Sequence, residues 1–132
     1  MCIRDRVKQI LNDLSAEERT RLCRHIGEHI GRLHKNGMIH GDLTTSNMIL
    51  TSSGKVVFVD FGLSEQTSEL EARGVDLHLM KRAFMSTHYK YAEESFRAVI
   101  EGYEKIMGKK ATEELLEKIR EIEKRGRYIS GR

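Results

Sequence analysis

The sequence predicts an α+β fold that is mainly α, with one small β-hairpin near its middle. Three observations predict it. Apolar residues recur at helical spacing from Leu22 to Leu33. Two short apolar runs flank the polar turn Thr51-Ser52-Ser53-Gly54. Helical spacing then returns in three stretches after Asp76. At 132 residues the chain is one domain at most, with room for a modest core.

The opening Met1-Cys2-Ile3-Arg4-Asp5-Arg6 fits no periodic pattern that continues behind it. It reads as a non-native start, as sequence-assembly artefacts do, and residues 1–6 are excluded from fold reasoning. The folded part is expected over 7–123, followed by a basic tail over 124–132. Ser15 with Glu18 three residues on forms a capping box, so a helix starts there. Leu22, Ile26, Ile30 and Leu33 share one face of it, and Gly37 supplies the stop. His25, His29 and His34 ride on this helix, with His25 and His29 at a spacing that could bind metal. No third ligand is obvious, so solvated or capping histidines are expected.

Met48-Ile49-Leu50 and Lys55 to Val59 form the two hairpin strands. Asp76 is a residue type that caps helices, and the helix behind it carries Leu77, Met80 and Phe84. Ala92, Phe96, Val99, Ile100, Tyr103, Ile106 and Met107 mark the next amphipathic helix. Leu115, Ile119 and Ile122 mark the last, with a cap expected at Thr112. These stripes read as core.

Composition excludes little but sets bounds. A net charge of +3, with one third of residues charged, is only mildly basic and names no partner. No stretch approaches the run of about 18 apolar residues that a membrane span needs, so no membrane partner is expected. Cys2 and Cys23 have no metal-like spacing, which makes a reduced, cytoplasmic setting the expectation.

The chemistry is concentrated in His40-Gly41-Asp42-Leu43-Thr44-Thr45-Ser46-Asn47 and in Asp60-Phe61-Gly62. An Asp, an Asn five residues later, and an Asp-Phe-Gly after a hairpin suit phosphoryl transfer. That reaction needs an oriented acceptor and neutralised phosphate charge. Asp42 is the candidate that orients or deprotonates an acceptor hydroxyl or a water. Asn47 and Asp60 are candidate ligands of the metal, since a carboxylate and an amide oxygen suit magnesium. Antiparallel pairing of the hairpin brings these two together. A lone Asp-Phe-Gly would be an ordinary turn; the ordered combination is far more specific.

His40 to Asn47, followed by Asp60-Phe61-Gly62-Leu63-Ser64, closely resembles the small atypical Ser/Thr kinase/ATPase of the KEOPS complex, the PRPK type. Gly74-Val75-Asp76-Leu77 and Lys81-Arg82-Ala83-Phe84 extend the resemblance downstream, as does the Arg- and Gly-rich end. It covers the C-terminal lobe of that family, from about Ile26 onward, and none of the N-terminal lobe. The resemblance implies a protein-kinase-like C-lobe, ATP and Mg2+ as cofactors, and a role in tRNA threonylcarbamoyladenosine formation. It implies as partners the threonylcarbamoyl-transferring subunit and the other subunits of KEOPS. It implies structural support of the catalytic loop by His40 and Asp76. The cations Lys124, Arg125, Arg127 and Arg132 read by themselves as a solvated helix end; the resemblance implies tRNA or partner contact.

Aminoglycoside- and choline-type kinases also use His-Gly-Asp-Leu, but usually continue with His-Pro and carry a different tripeptide at the metal Asp. Thr44-Thr45-Ser46 and the intact Asp-Phe-Gly argue against them, and RIO-type kinases differ at both motifs. Gly41 stands where many kinases have an Arg that pairs with a loop phosphate, so activation by loop phosphorylation is not expected. Thr44 stands where a phosphate-contacting Lys is common. Only 13 residues separate Gly62 from Asp76, a small platform for a peptide substrate, which favours ATP hydrolysis or autophosphorylation.

Only 39 residues precede His40, and no Gly-x-Gly-x-x-Gly occurs among the eleven glycines. A fragment lacking the nucleotide-clamping lobe is therefore expected, inactive by itself. The alternative from another class is a non-catalytic assembly module of the same complex.

Overall fold

The computed structural model describes residues 4–130, with side chains described as far as Gly126. Strand β1 (Arg4–Arg6) leads into a short helix α1 (Val7–Ile10) and a 3-10 turn, Leu11–Asp13. Helix α2 (Ala16–Lys35) is followed by β2 (Met38–Ile39), a 3-10 turn at Thr45–Asn47, and the hairpin β3 (Met48–Thr51) and β4 (Val56–Phe58). Strand β5 (Glu65–Gln66) precedes α3 (Leu70–Thr87), α4 (Ala92–Met107) and α5 (Lys109–Ser130). The fold is mainly helical, with two small antiparallel sheets ordered β1-β3-β4 and β2-β5. It matches a kinase-like C-lobe, and the described residues contain no second, strand-rich lobe.

The capping box forms as the sequence predicts. Ser15 Oγ accepts from the Glu18 N–H while Glu18 accepts from the Ser15 N–H, both at 3.1 Å. Gly37 ends α2 with φ of 76°, a conformation that costs glycine little. Leu22, Cys23, Ile26 and Ile30 turn inward and meet Ala98, Val99 and Tyr103 of α4. This contact is unusually close because each helix offers a glycine. A Cβ on Gly27 would lie 1.9 Å from the Val99 carbonyl oxygen, and one on Gly102 2.0 Å from that of Arg24. Leu77, Met80 and Phe84 of α3 and Leu115 and Ile119 of α5 complete the core. Burial pushes the Cys23 thiol up to about 12, which leaves it a packing group rather than a nucleophile.

Arg19 is a buried cation with each of its three guanidinium nitrogens bonded. Its Nε and Nη2 donate to the carbonyls of Leu11 and Leu14, and Nη1 reaches Glu94 at 3.2 Å. The guanidinium also stacks 3.5 Å over the Tyr91 ring. This one side chain ties the N-terminal turn to α2 and α4.

Two expected caps are corrected. Helix α3 begins at Leu70, so Asp76 lies inside it and cannot cap it. Helix α5 begins at Lys109, and the Thr112 hydroxyl donates back to the Gly108 carbonyl from within the helix. Part of the excluded opening also pairs: Arg4–Arg6 lines up with Ile49–Thr51. A ladder needs only backbone groups, so nearly any sequence can supply it; among the described residues the first in the core is Val7. Among the described residues no helix is long and apolar enough to cross a membrane.

Candidate active site

The loop His40–Asn47 runs from β2 to β3 and is held from beneath by buried side chains. Leu43 drops into the core, and His40 and Asp76 have no exposed surface. A buried carboxylate requires donors. Asp76 Oδ2 accepts from the His40 N–H at 3.1 Å and from His34 Nε2 at 2.9 Å, and Oδ1 accepts from the Gly41 N–H at 3.0 Å. The other nitrogen of His34 meets the Tyr103 hydroxyl at 2.8 Å. Burial drives the ionisation of that hydroxyl above its ordinary range. A chain of hydrogen bonds thus links α4 and α2 to the loop through α3.

His40 braces the same loop from the side. Its Nε2 donates to the Val59 carbonyl at 3.0 Å, and its Nδ1 accepts from the Asp42 N–H at 3.1 Å. The two partners fix the tautomer. Phe61 packs against this imidazole with ring centroids 4.5 Å apart and the planes tilted by 58°, beside a hollow lined by His29, Leu33, Met38 and Phe58.

Asn47 Nδ2 donates to both the carbonyl and the Oδ2 of Asp42, each at 3.0 Å. Both partners only accept, so the amide nitrogen must face them and its oxygen turns away. Across the hairpin, the Asn47 carbonyl accepts from the Val59 N–H at 2.9 Å. That pair puts Asp60 one residue from the strand position opposite Asn47. Asp60 has φ of 62°, the one positive value at a non-glycine among the described residues. Aspartate tolerates this region better than most residues, and such backbone strain concentrates at functional sites. Its carboxylate is exposed.

Gly41 is a crossing point. Its φ is 91°, and a Cβ there would lie 2.2 Å from the Leu63 carbonyl oxygen. The segment after Asp60-Phe61-Gly62 passes directly over it and is then fastened by the β5–β2 pairing and by Thr67 N–H to the Gly37 carbonyl.

The geometry therefore gathers His40, Asp42, Asn47 and Asp76 and brings Asp60 alongside. Of the tail residues, Lys124 and Arg125 lie elsewhere, on α5. Lys124 is exposed on α5, and Arg125 is engaged at 2.7 Å by Glu71. The Arg127 side chain and all of Arg132 lie outside the described residues. His34 overturns the expectation of solvated or capping histidines, since it is fully buried between Asp76 and Tyr103. A signal was available: His34 continues the four-residue register of Ile26 and Ile30 on the buried face.

Hard oxygen donors on Asn47 and Asp60 fit magnesium. Among the described residues no three His, Cys, Asp or Glu side chains cluster to hold a metal. A cation here would share its shell with phosphate oxygens or water, as magnesium commonly does.

Comparison with known proteins identifies the family. A family model described as a protein kinase domain matches residues 1–106. The KEOPS complex subunit Bud32 of Pyrococcus abyssi is 56% identical over 124 residues, covering 94% of this chain and 56% of that protein. A probable bifunctional tRNA threonylcarbamoyladenosine biosynthesis protein of Methanothermobacter thermautotrophicus is 54% identical, covering 86% of this chain and 20% of that one. The EKC/KEOPS complex subunit BUD32 of Debaryomyces hansenii is 39% identical, covering 89% and 48%. The chain thus spans about half the length of the single-subunit relatives and a fifth of the bifunctional one. With its Asp42–Asn47 loop and Asp60-Phe61-Gly62 turn inside the matched region, this chain belongs to the protein kinase domain family.

Proposed function

We propose that this chain carries the C-lobe half of an atypical Ser/Thr kinase/ATPase of the KEOPS complex, supporting threonylcarbamoyladenosine formation in tRNA. The observation that carries the reading is the Asp42–Asn47 hydrogen-bonded pair, with Asp60 alongside it across the hairpin. Asp42 accepts the proton of a serine or threonine hydroxyl, or of water, and orients that oxygen toward the transferred phosphoryl group. Asn47 holds Asp42 in place with its amide nitrogen, while its oxygen and the Asp60 carboxylate would hold Mg2+. When bound, ATP would supply the phosphoryl group and Mg2+ the neutralisation of its negative charge that the transfer requires. Asp76 and His40 keep the loop in shape. The threonylcarbamoyl-transferring subunit is the main partner. It is supported by names: one relative is a KEOPS subunit and another a bifunctional threonylcarbamoyladenosine biosynthesis protein. Lys124 and Arg127 would add tRNA contact. The reading places the protein in the cytoplasm.

The test is a titration of the labelled chain with Mn2+ and ATP, followed by NMR. Paramagnetic broadening should centre on Asn47 and Asp60 and vanish in Asp60→Ala. Broadening centred elsewhere would remove these residues from the metal site. Because these residues hold no Gly-x-Gly-x-x-Gly loop, the 132-residue polypeptide should bind ATP weakly and turn it over negligibly. Turnover at the rate of an intact relative would contradict that.

A further inference from the structure

Thr45 lies in the candidate catalytic loop, between Asp42 and Asn47, yet its side chain is buried. Its Oγ1 lies 2.8 Å from Nε2 of His88, the residue that ends α3. His88 is buried too, at 1% exposure, and its Nδ1 lies 2.8 Å from Asn12 Oδ1 in the N-terminal 3-10 turn. The direction of these bonds follows from the last member. Asn12 Nδ2 faces the Thr87 carbonyl at 3.5 Å, and a carbonyl only accepts. Asn12 therefore offers Oδ1 to His88, whose proton must sit on Nδ1. Nε2 is left as an acceptor for the Thr45 hydroxyl. Burial, with Lys8 nearby, favours the uncharged imidazole that this pattern requires.

Nothing in the phosphotransfer reading uses this side chain. We propose that His88 is a positioning residue: it grips the loop through Thr45 and so keeps the Thr45–Asn47 turn in the register that aims Asn47 at Asp42. Through Asn12 the same grip couples the N-terminal turn to the loop. The function of this grip rests on the phosphotransfer reading, whereas its existence does not. Asp76 secures the front of the loop at His40 and Gly41; His88 secures the back.

The test uses the labelled 132-residue chain and the variants Thr45→Val, Thr45→Ser, His88→Ala and Asn12→Ala. Loss of the hydroxyl in Thr45→Val should raise amide exchange at Thr45–Asn47 about tenfold, the effect of unpairing one buried polar group. The side-chain amide signals of Asn47 should also move toward those of a free amide. Thr45→Ser, which keeps the hydroxyl, should retain both native signatures. The double variant Thr45→Val/His88→Ala should be no looser than the worse single one, since the two act through one bond. Asn12→Ala sits at an exposed position and leaves the core intact; it should loosen the turn several-fold even if a core variant fails to fold. Unchanged Asn47 signals in Thr45→Val, or in Asn12→Ala, would overturn the proposal. A native chain whose Asn47 ignores Mn2+ and ATP, while these variants loosen the turn, would sink the phosphotransfer reading and leave the grip standing.

Discussion

At the residue scale, the buried carboxylate of Asp76 is the point on which the loop turns. It accepts from three N–H groups, one on each of three residues: His34, His40 and Gly41. Asp76→Asn keeps the volume but replaces one acceptor by a donor, so at least one of those N–H groups loses its partner. The expected cost is about 2 kcal/mol in denaturant unfolding, with faster amide exchange at His40 and Gly41. An unchanged midpoint would mean that the loop holds its shape without this carboxylate. Asp42, Asn47 and Asp60 stand out as candidates in the sequence because their spacing along the chain is itself the signal. His34 and Tyr103 could not be paired, because they are 69 residues apart and meet only once α2 and α4 are packed. The residue type of Asp76 suggests a cap, but cap chemistry belongs to helix ends and this residue is inside one.

Among elements, the closest contact is between α2 and α4, and it depends on the absence of two side chains. A methyl group at Gly27 has the Val99 carbonyl in its way, so the helices must separate to admit it. Gly27→Ala should cost about 3 kcal/mol, against a gain of up to about 1 kcal/mol from helix propensity. Urea unfolding would measure the net loss, and a stabilised variant would contradict the packing described. The long helices α2 and α4 were legible because each buries one stripe and leaves the other in water. Helix α3 starts at Leu70 behind Glu69, with no side-chain cap to announce it. Strands β2 and β5 have two residues each, too few for any alternation to show.

For the molecule as a whole, pH is the informative variable. Burial holds His29, His78 and His88 below the ordinary imidazole value, in each case as the largest cause. The folded chain therefore binds fewer protons than the unfolded one once pH falls below about 6.5. Stability should be fully present above that value and decline as pH drops toward the lowered folded values. Denaturant midpoints at neutral and mildly acidic pH would show the decline. A midpoint that rises on acidification would show that these histidines gain partners rather than lose solvent. His88→Gln should flatten the curve in part, leaving the contribution of the two more exposed rings.

The chain crossing at Gly41 also limits what could be made of this molecule. An arginine grafted at that position as a phosphate receiver would strike the Leu63 carbonyl before its guanidinium reached anything. Anyone wishing to build a phosphorylation-gated descendant would first have to lengthen the strap over residues 62–69 and lift it clear.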